Sequence, residues 1–170
     1  MFQHPATDDS AIDPLLAASL ERSGLAPLQL RGRRLLPIVQ GGMGVGVSAH
    51  RLAGSVAALG GVGTISSVDL RRHHPDLMER TQGLATRAGH DAEAKTAIDA
   101  ANLEAIGREI TGARTLAQGR GLLAINVMRA VAEYAASVKK ALEAGIDAVV
   151  VGAGLPLDLP DLAAEHPDAL

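Results

Sequence analysis

The stretch Gln40-Gly-Gly-Met-Gly-Val-Gly-Val-Ser48 carries the densest chemical signal in the chain. Glycines at this density let a backbone turn tightly and bring its N–H groups close to a ligand. Three readings compete. As a phosphate-binding P-loop, Gly41 and Gly46 have the right separation, but Val47 stands where a Lys must reach the phosphates. The Ser48 hydroxyl alone does not replace it. As a dinucleotide fingerprint, Gly42 and Gly44 match, yet Val47 occupies the third glycine position, although Asp69 follows at about the distance of a ribose-binding acid. The third reading is a tight strand-to-helix turn whose glycines serve close packing.

Other residues with chemical potential are weaker signals. His73, His74 and Asp76 could suggest a metal, but adjacent His side chains in a loop seldom converge on one ion, so no metal is expected. A solvated loop is the better reading there, with Arg71 and Arg72 able to meet an acidic group. The absence of Cys excludes disulfides, thiolate metal sites, iron–sulfur clusters and Cys nucleophiles. Net charge is −3, and Phe2 and Tyr134 are the only aromatic residues, so neither the electrostatics nor the stacking platforms of a nucleic-acid binder are present. Asp8 and Asp9 stand where a signal peptide needs Lys or Arg, and the run Leu15–Leu20 is too short for its apolar region. No stretch approaches the roughly 18 apolar residues of a membrane helix. The expectation is a cytoplasmic protein with no membrane partner.

These residues need a frame to hold them. The 170 residues suit one domain, and 47% hydrophobic with 21% charged is a globular composition. With so few rings, the core must be Ala, Val, Leu and Ile packed close to Gly. Residues 1–30 read as a helical lead-in, with Asp13 as N-cap, Pro14 in the first turn and Gly24 closing the helix. Residues 31–170 read as an α/β unit. Four short apolar runs, 35–39, 62–65, 122–125 and 147–151, read as buried strands. Between them, helices are expected from Ser48 as N-cap to Leu59, from about Lys95 to Gln118, and from about Ala130 to Ala144. Residues 67–95 form a polar excursion. Asp147 precedes its strand at the amino-terminal face, where charges serve stability, and Tyr134 reads as a packing residue on a helix.

Continuous apolar strands alternating with helices mean a parallel sheet covered by helices. A doubly wound sheet and a (β/α)8 barrel both satisfy this. Three strand ends carry Gly41-Gly42, Asn126 and Gly152-Ala-Gly154. Ligands bind at the carboxyl ends of strands in either fold. Several such ends converging on one ligand suit a barrel better than a single switch point.

Pro37-Ile-Val-Gln-Gly-Gly-Met-Gly44, followed by Leu52-Ala-Gly-Ser-Val-Ala-Ala-Leu-Gly-Gly-Val-Gly-Thr-Ile65, resembles the start of the nitronate monooxygenase family, also called 2-nitropropane dioxygenases. Ala124-Ile-Asn-Val-Met128 is similar to that family's third strand, and Ala144-Gly-Ile-Asp-Ala-Val-Val-Val-Gly-Ala-Gly154 to its fourth. The matches are in order over about residues 35–157. The resemblance implies an FMN-binding (β/α)8 TIM-type barrel that oxidises alkyl nitronates with O2 to a carbonyl compound and nitrite. It maps cofactor contacts onto Gly42, Met43, Gly44, Asn126 and Met128. Gly152 and Gly154, at the carboxyl end of the fourth strand, are placed to line the substrate pocket or else form a simple tight turn. A barrel takes about 250 residues and eight strands. The resemblance therefore makes this chain about the first four β/α units, with the family's general-base His expected beyond Leu170. A related FMN-dependent enoyl-acyl carrier protein reductase shares the barrel and first loop, and is the enzyme alternative. A non-catalytic half-barrel that binds a partner or assembles as a homo-oligomer is the alternative of another class.

Overall fold

The computed structural model describes residues 11–170, so residues 1–10 of the expected lead-in lie outside the described residues. Asp13 caps α1 (Pro14–Ser23), its Oδ1 accepting from Leu15 N–H at 2.9 Å, and Gly24 closes the helix at φ +69°. The lead-in is not helical to residue 30. Instead β1 (Leu28–Leu30) and β2 (Arg33–Leu35) pair as an antiparallel hairpin. Its turn residues Arg31 and Gly32 have φ of 48° and 74°, the left-handed pair that a two-residue hairpin loop demands. The expected strand 35–39 is thereby divided. Leu35 ends the hairpin, and Val39 makes a single parallel bridge to Val62. Pro37 lies between them and has no N–H with which to continue a ladder.

The elements that follow are α2 (His50–Ala58), β3 (Val62–Ser66), a 3-10 turn (Leu70–His73), α3 (Pro75–Arg80), α4 (Ala92–Ala117), β4 (Leu122–Met128), α5 (Tyr134–Glu143), β5 (Ala148–Gly152) and α6 (Leu159–Leu162). β3, β4 and β5 form a parallel sheet in that order, with Val62 opposite Leu122 and Ala124 opposite Ala148. One further segment flanks each edge. Val62 N–H donates to Ile38 O and Gln40 N–H to Val62 O, both at 2.9 Å. At the far edge Leu170 N–H donates to Asp147 O at 2.9 Å, and Val149 N–H to Leu170 O at 2.8 Å. That is the hydrogen-bond pattern of a parallel neighbour. From Val39 to Leu170, spatial order follows chain order.

Helices α2, α4 and α5 share one face. Ala53 and Ala57 of α2, Ala105, Ile110 and Ala113 of α4, and Val138 and Ala141 of α5 enclose one core with Ile65, Leu123, Ile125 and Val127. A strand order that runs one way, with right-handed crossovers, places successive helices on the same side. The small residues set how closely they approach. A Cβ on Gly63 would stand 1.9 Å from Ala53 O, so α2 lies directly on β3. On the opposite face, Val62, Leu122, Ala124 and Ala148 pack with Leu35, Leu28 and Leu30, so the hairpin closes the amino-terminal ends of the strands. By strand alternation, Ser66, Asn126, Val150 and Gly152 occupy that face toward the carboxyl ends.

The excursion is not a solvated loop throughout. Leu70, Arg71, Leu77 and Thr81 are buried. Arg71 is ion-paired with Asp69 at 3.0 Å and donates to Thr81 Oγ1 at 3.0 Å, which is how a buried guanidinium is tolerated. Among the described residues no helix is long and apolar enough to cross a membrane.

Candidate functional site

The Gly-rich loop connects Gln40, at the edge of the sheet, to His50, the first residue of α2. Two side chains fix it. Gln40 Oε1 accepts from Thr64 N–H at 3.0 Å, while its Nε2 donates to Thr64 O at 3.1 Å and to Ser48 Oγ at 2.9 Å. Ser48 is fully buried and is not the cap of α2, because its hydroxyl is turned back into the loop. It accepts from Met43 N–H at 2.9 Å and donates to Gly41 O at 3.2 Å. Ser66 N–H donates to Ser48 O at 2.9 Å, which ties the end of the loop to β3.

The loop lies over the carboxyl ends of β3 and β4. A Cβ on Gly42 would stand 2.5 Å from Asn126 Cβ, and one on Gly44 would stand 3.2 Å from Ser66 Oγ. Gly42 and Asn126, far apart in sequence, are therefore in direct contact. Their neighbour Met43 spends its N–H on Ser48, so it offers a ligand its exposed thioether side chain and not a backbone donor. Met128 pairs with Gly152 across β4 and β5, and borders a space of about 170 Å³ shared with Asn102, Leu103 and Val131. Gly152 has open space where a Cβ would project. Gly154 takes φ +144° and lies against the Arg129 side chain. Arg129 also faces Asp158 at 3.4 Å and stacks 4.8 Å from the centre of the Tyr134 ring. Burial, ahead of the Asp158 charge, pushes the Tyr134 hydroxyl above the ordinary phenol range.

Beneath the loop lies a cluster that reading along the chain missed. Glu109 of α4 is fully buried. Its Oε2 accepts from His50 N–H at 2.6 Å and lies 2.7 Å from His50 Nδ1. Its Oε1 faces His74 Nε2 at 3.1 Å. A carboxylate at the first N–H of α2 supplies from a distant helix the cap that Ala49 cannot. The neighbouring His73 ring lies where a Cβ on Gly46 would come within 2.5 Å of its Nε2. Among the described residues, no group of three or more His, Asp or Glu is arranged to hold a metal ion. The sequence signal for Glu109 is slight: a carboxylate in the same helical stripe as Ala105, Ile106 and Ile110.

At the strand ends the Gly42 backbone lies on the Asn126 side chain, the Gly44 backbone lies near Ser66, and Met43, Val45 and Val150 are each exposed. The space at Met128 is below the roughly 300 Å³ of an ordinary cofactor pocket. Compared with known protein families and with curated proteins, the chain matches none.

Proposed function

We propose that the chain is the amino-terminal part of an FMN-dependent oxidoreductase of nitronate monooxygenase type, on a (β/α)8 TIM-type barrel. The observation that carries this reading is the one-way order of parallel segments from Val39 to Leu170, which brings Gly42 against Asn126 at the carboxyl ends. A doubly wound sheet reverses its order at the ligand crevice and covers both faces with helices. The described strands run one way with α2, α4 and α5 on one face, which is the arrangement of neighbouring strands in a barrel and supports that reading over the doubly wound one.

In this reading Gly42 and Gly44 bring N–H groups to the polar edge of the ring, and Asn126 donates and accepts there. Met43 and Met128 form apolar walls, being pliable enough to follow a flat surface. Gly152 leaves room for a small anionic substrate and O2, with Gly154 seated beside it against the Arg129 side chain. Bound FMN supplies the electron transfer. His73 and His74 are not assigned the base, because Gly46 and Glu109 hold them beneath the loop. The test is to express the protein from its complete reading frame and record its absorption spectrum. Yellow protein, or protein that takes up FMN and then releases nitrite from an alkyl nitronate, supports the proposal. Colourless protein that cannot be reconstituted with FMN overturns it. NAD(P)H oxidation with an enoyl thioester, without nitrite release, would move the assignment to the reductase.

A further inference from the structure

We infer that the 67–95 excursion is a clamp on the Gly-rich loop, with Glu109 as the positioning residue that transmits its grip. As a statement about cofactor binding, this rests on the flavin reading above; as a statement about the loop, it does not.

The two histidines at the end of the 3-10 turn act on the loop by different routes. His73 lies directly against Gly46, inside the loop. His74 faces Glu109, and Glu109 in turn holds His50 by both its backbone N–H and its ring. The ring of His50 is itself laid on α4, where a Cβ on Gly112 would come within 3.1 Å of it. The loop is thus held from below near its middle and at its exit. The excursion is held in its own right. Arg71 N–H donates to Asn102 Oδ1 of α4 at 3.3 Å, and the Arg71 guanidinium pairs with Asp69 and Thr81. Around the Glu109 carboxylate, the ionisable groups are His50 from α2 and His74 from the excursion. A fully buried carboxylate is costly unless its oxygens are occupied; His50 takes Oε2, while Oε1 has the 3.1 Å approach of His74 Nε2 without a hydrogen bond. The carboxylate's presence between two segments that share no ladder makes their positions interdependent.

The test measures amide hydrogen exchange of the protein without cofactor. The variants are Glu109→Ala, Glu109→Gln and His74→Ala, with the core variant Ile110→Ala as a structural control. Glu109→Ala is expected to speed exchange about tenfold or more in both 41–50 and 70–80, relative to β4 and β5. Glu109→Gln keeps an acceptor for His50 N–H and should recover part of that protection. His74→Ala should loosen 41–50 as well as its own segment. Ile110→Ala should lower overall stability without singling out the two segments. Should Glu109→Ala not fold, Glu109→Gln and His74→Ala decide the matter. Exchange that rises in one segment only, or a His74→Ala variant whose 41–50 amides are unchanged, overturns the clamp. In a second arm, FMN affinity should fall at least tenfold in Glu109→Ala and return in part in Glu109→Gln. FMN affinity unchanged in Glu109→Ala would remove the positioning role. A wild-type protein that binds no FMN defeats the flavin reading, and the exchange arm still decides the clamp.

Discussion

Gln40 and Thr64 are joined as neighbouring strands are joined, but with the side chain of one and the backbone of the other. The Gln40 amide accepts from Thr64 N–H and donates to Thr64 O, one step beyond the point where the Ile38–Gln40 backbone stops pairing with Val62. The ladder is thus continued while the backbone is released into the Gly-rich loop. Thr64 is 2% exposed, so its N–H and C=O have no alternative partner in water. Gln40→Ala is expected to cost about 2 kcal/mol in chemical denaturation, the range for stranding buried backbone groups. Gln40→Glu keeps the acceptor but sets a carboxylate against Thr64 O, and should cost at least as much. A loss under about 0.5 kcal/mol for Gln40→Ala would mean that the bonds are replaced without penalty.

Much of the frame was legible in the chain, because local signals there agree with tertiary ones. Asp13 and Gly24 bound a helix by capping chemistry alone. The runs at 62 and 122 are apolar on both faces, as strands covered on both faces must be, and the run at 148 is equally apolar although Val150 is exposed. Legibility failed where a residue's partner is remote. Ser48 has the composition of a cap, but Gln40 and Met43 claim its hydroxyl. Arg71 and Thr81 read as polar surface although both are buried, since nothing along the chain announces that Arg71 will reach Thr81 and Asn102, and His74 gives no sign that it will face Glu109. Glu109 reads as a break in an apolar stripe because both of its histidines come from other elements. The contact of Gly42 with Asn126 was foreshadowed by both residues standing at strand ends and by the resemblance that maps both onto one ligand.

The closeness of α2 to β3 makes Gly63 intolerant of any side chain. Its added Cβ would meet backbone atoms of Ala53, at 1.9 Å from the carbonyl oxygen, and backbone cannot swing aside as a side-chain tip can. Gly63→Ala should therefore cost more than about 3 kcal/mol, beyond the usual range for overpacking, or prevent folding. Gly41→Ala is the control, since open space surrounds that position. Thermal unfolding of the two variants checks this. Equal midpoints would show that the helix moves off the strand at little cost.

Acid should weaken the join between α3 and α4 before the rest of the fold. Asp76, in the first turn of α3, accepts from both terminal nitrogens of Arg108, at 2.9 and 2.7 Å. This hydrogen-bonded pairing lowers its carboxyl from 3.8 to about 2. A carboxyl depressed by folding stabilises the native state when ionised. Its contribution is complete above the ordinary value and is lost as pH falls through about 2, so the window is roughly pH 4 down to 2. Asp76→Asn should flatten the stability curve within that window and leave it unchanged near neutrality apart from a constant offset. The pair is exposed, so the effect should be small and should shrink with added salt. An unaltered slope below pH 4 in the variant would count against the pairing.

Gly42 and Asn126 allow the packing of the loop to be separated from its proposed use. Gly42→Ala sets a methyl 2.5 Å from Asn126 Cβ, an atom fixed to the β4 backbone, so the loop must lift from the strand end. The melting temperature and the FMN affinity should both fall, the affinity at least tenfold. Asn126→Gly removes the obstructing atom. The double variant Gly42→Ala/Asn126→Gly should therefore recover melting temperature relative to Gly42→Ala, apart from the roughly 1 kcal/mol that a glycine costs within a strand. It should not recover FMN affinity, because the amide that donates and accepts at the ring edge is gone. Affinity restored in the double variant would reduce Asn126 to a spacer beneath the loop. A Gly42→Ala protein with wild-type melting and affinity would show that the loop does not depend on its seat against β4.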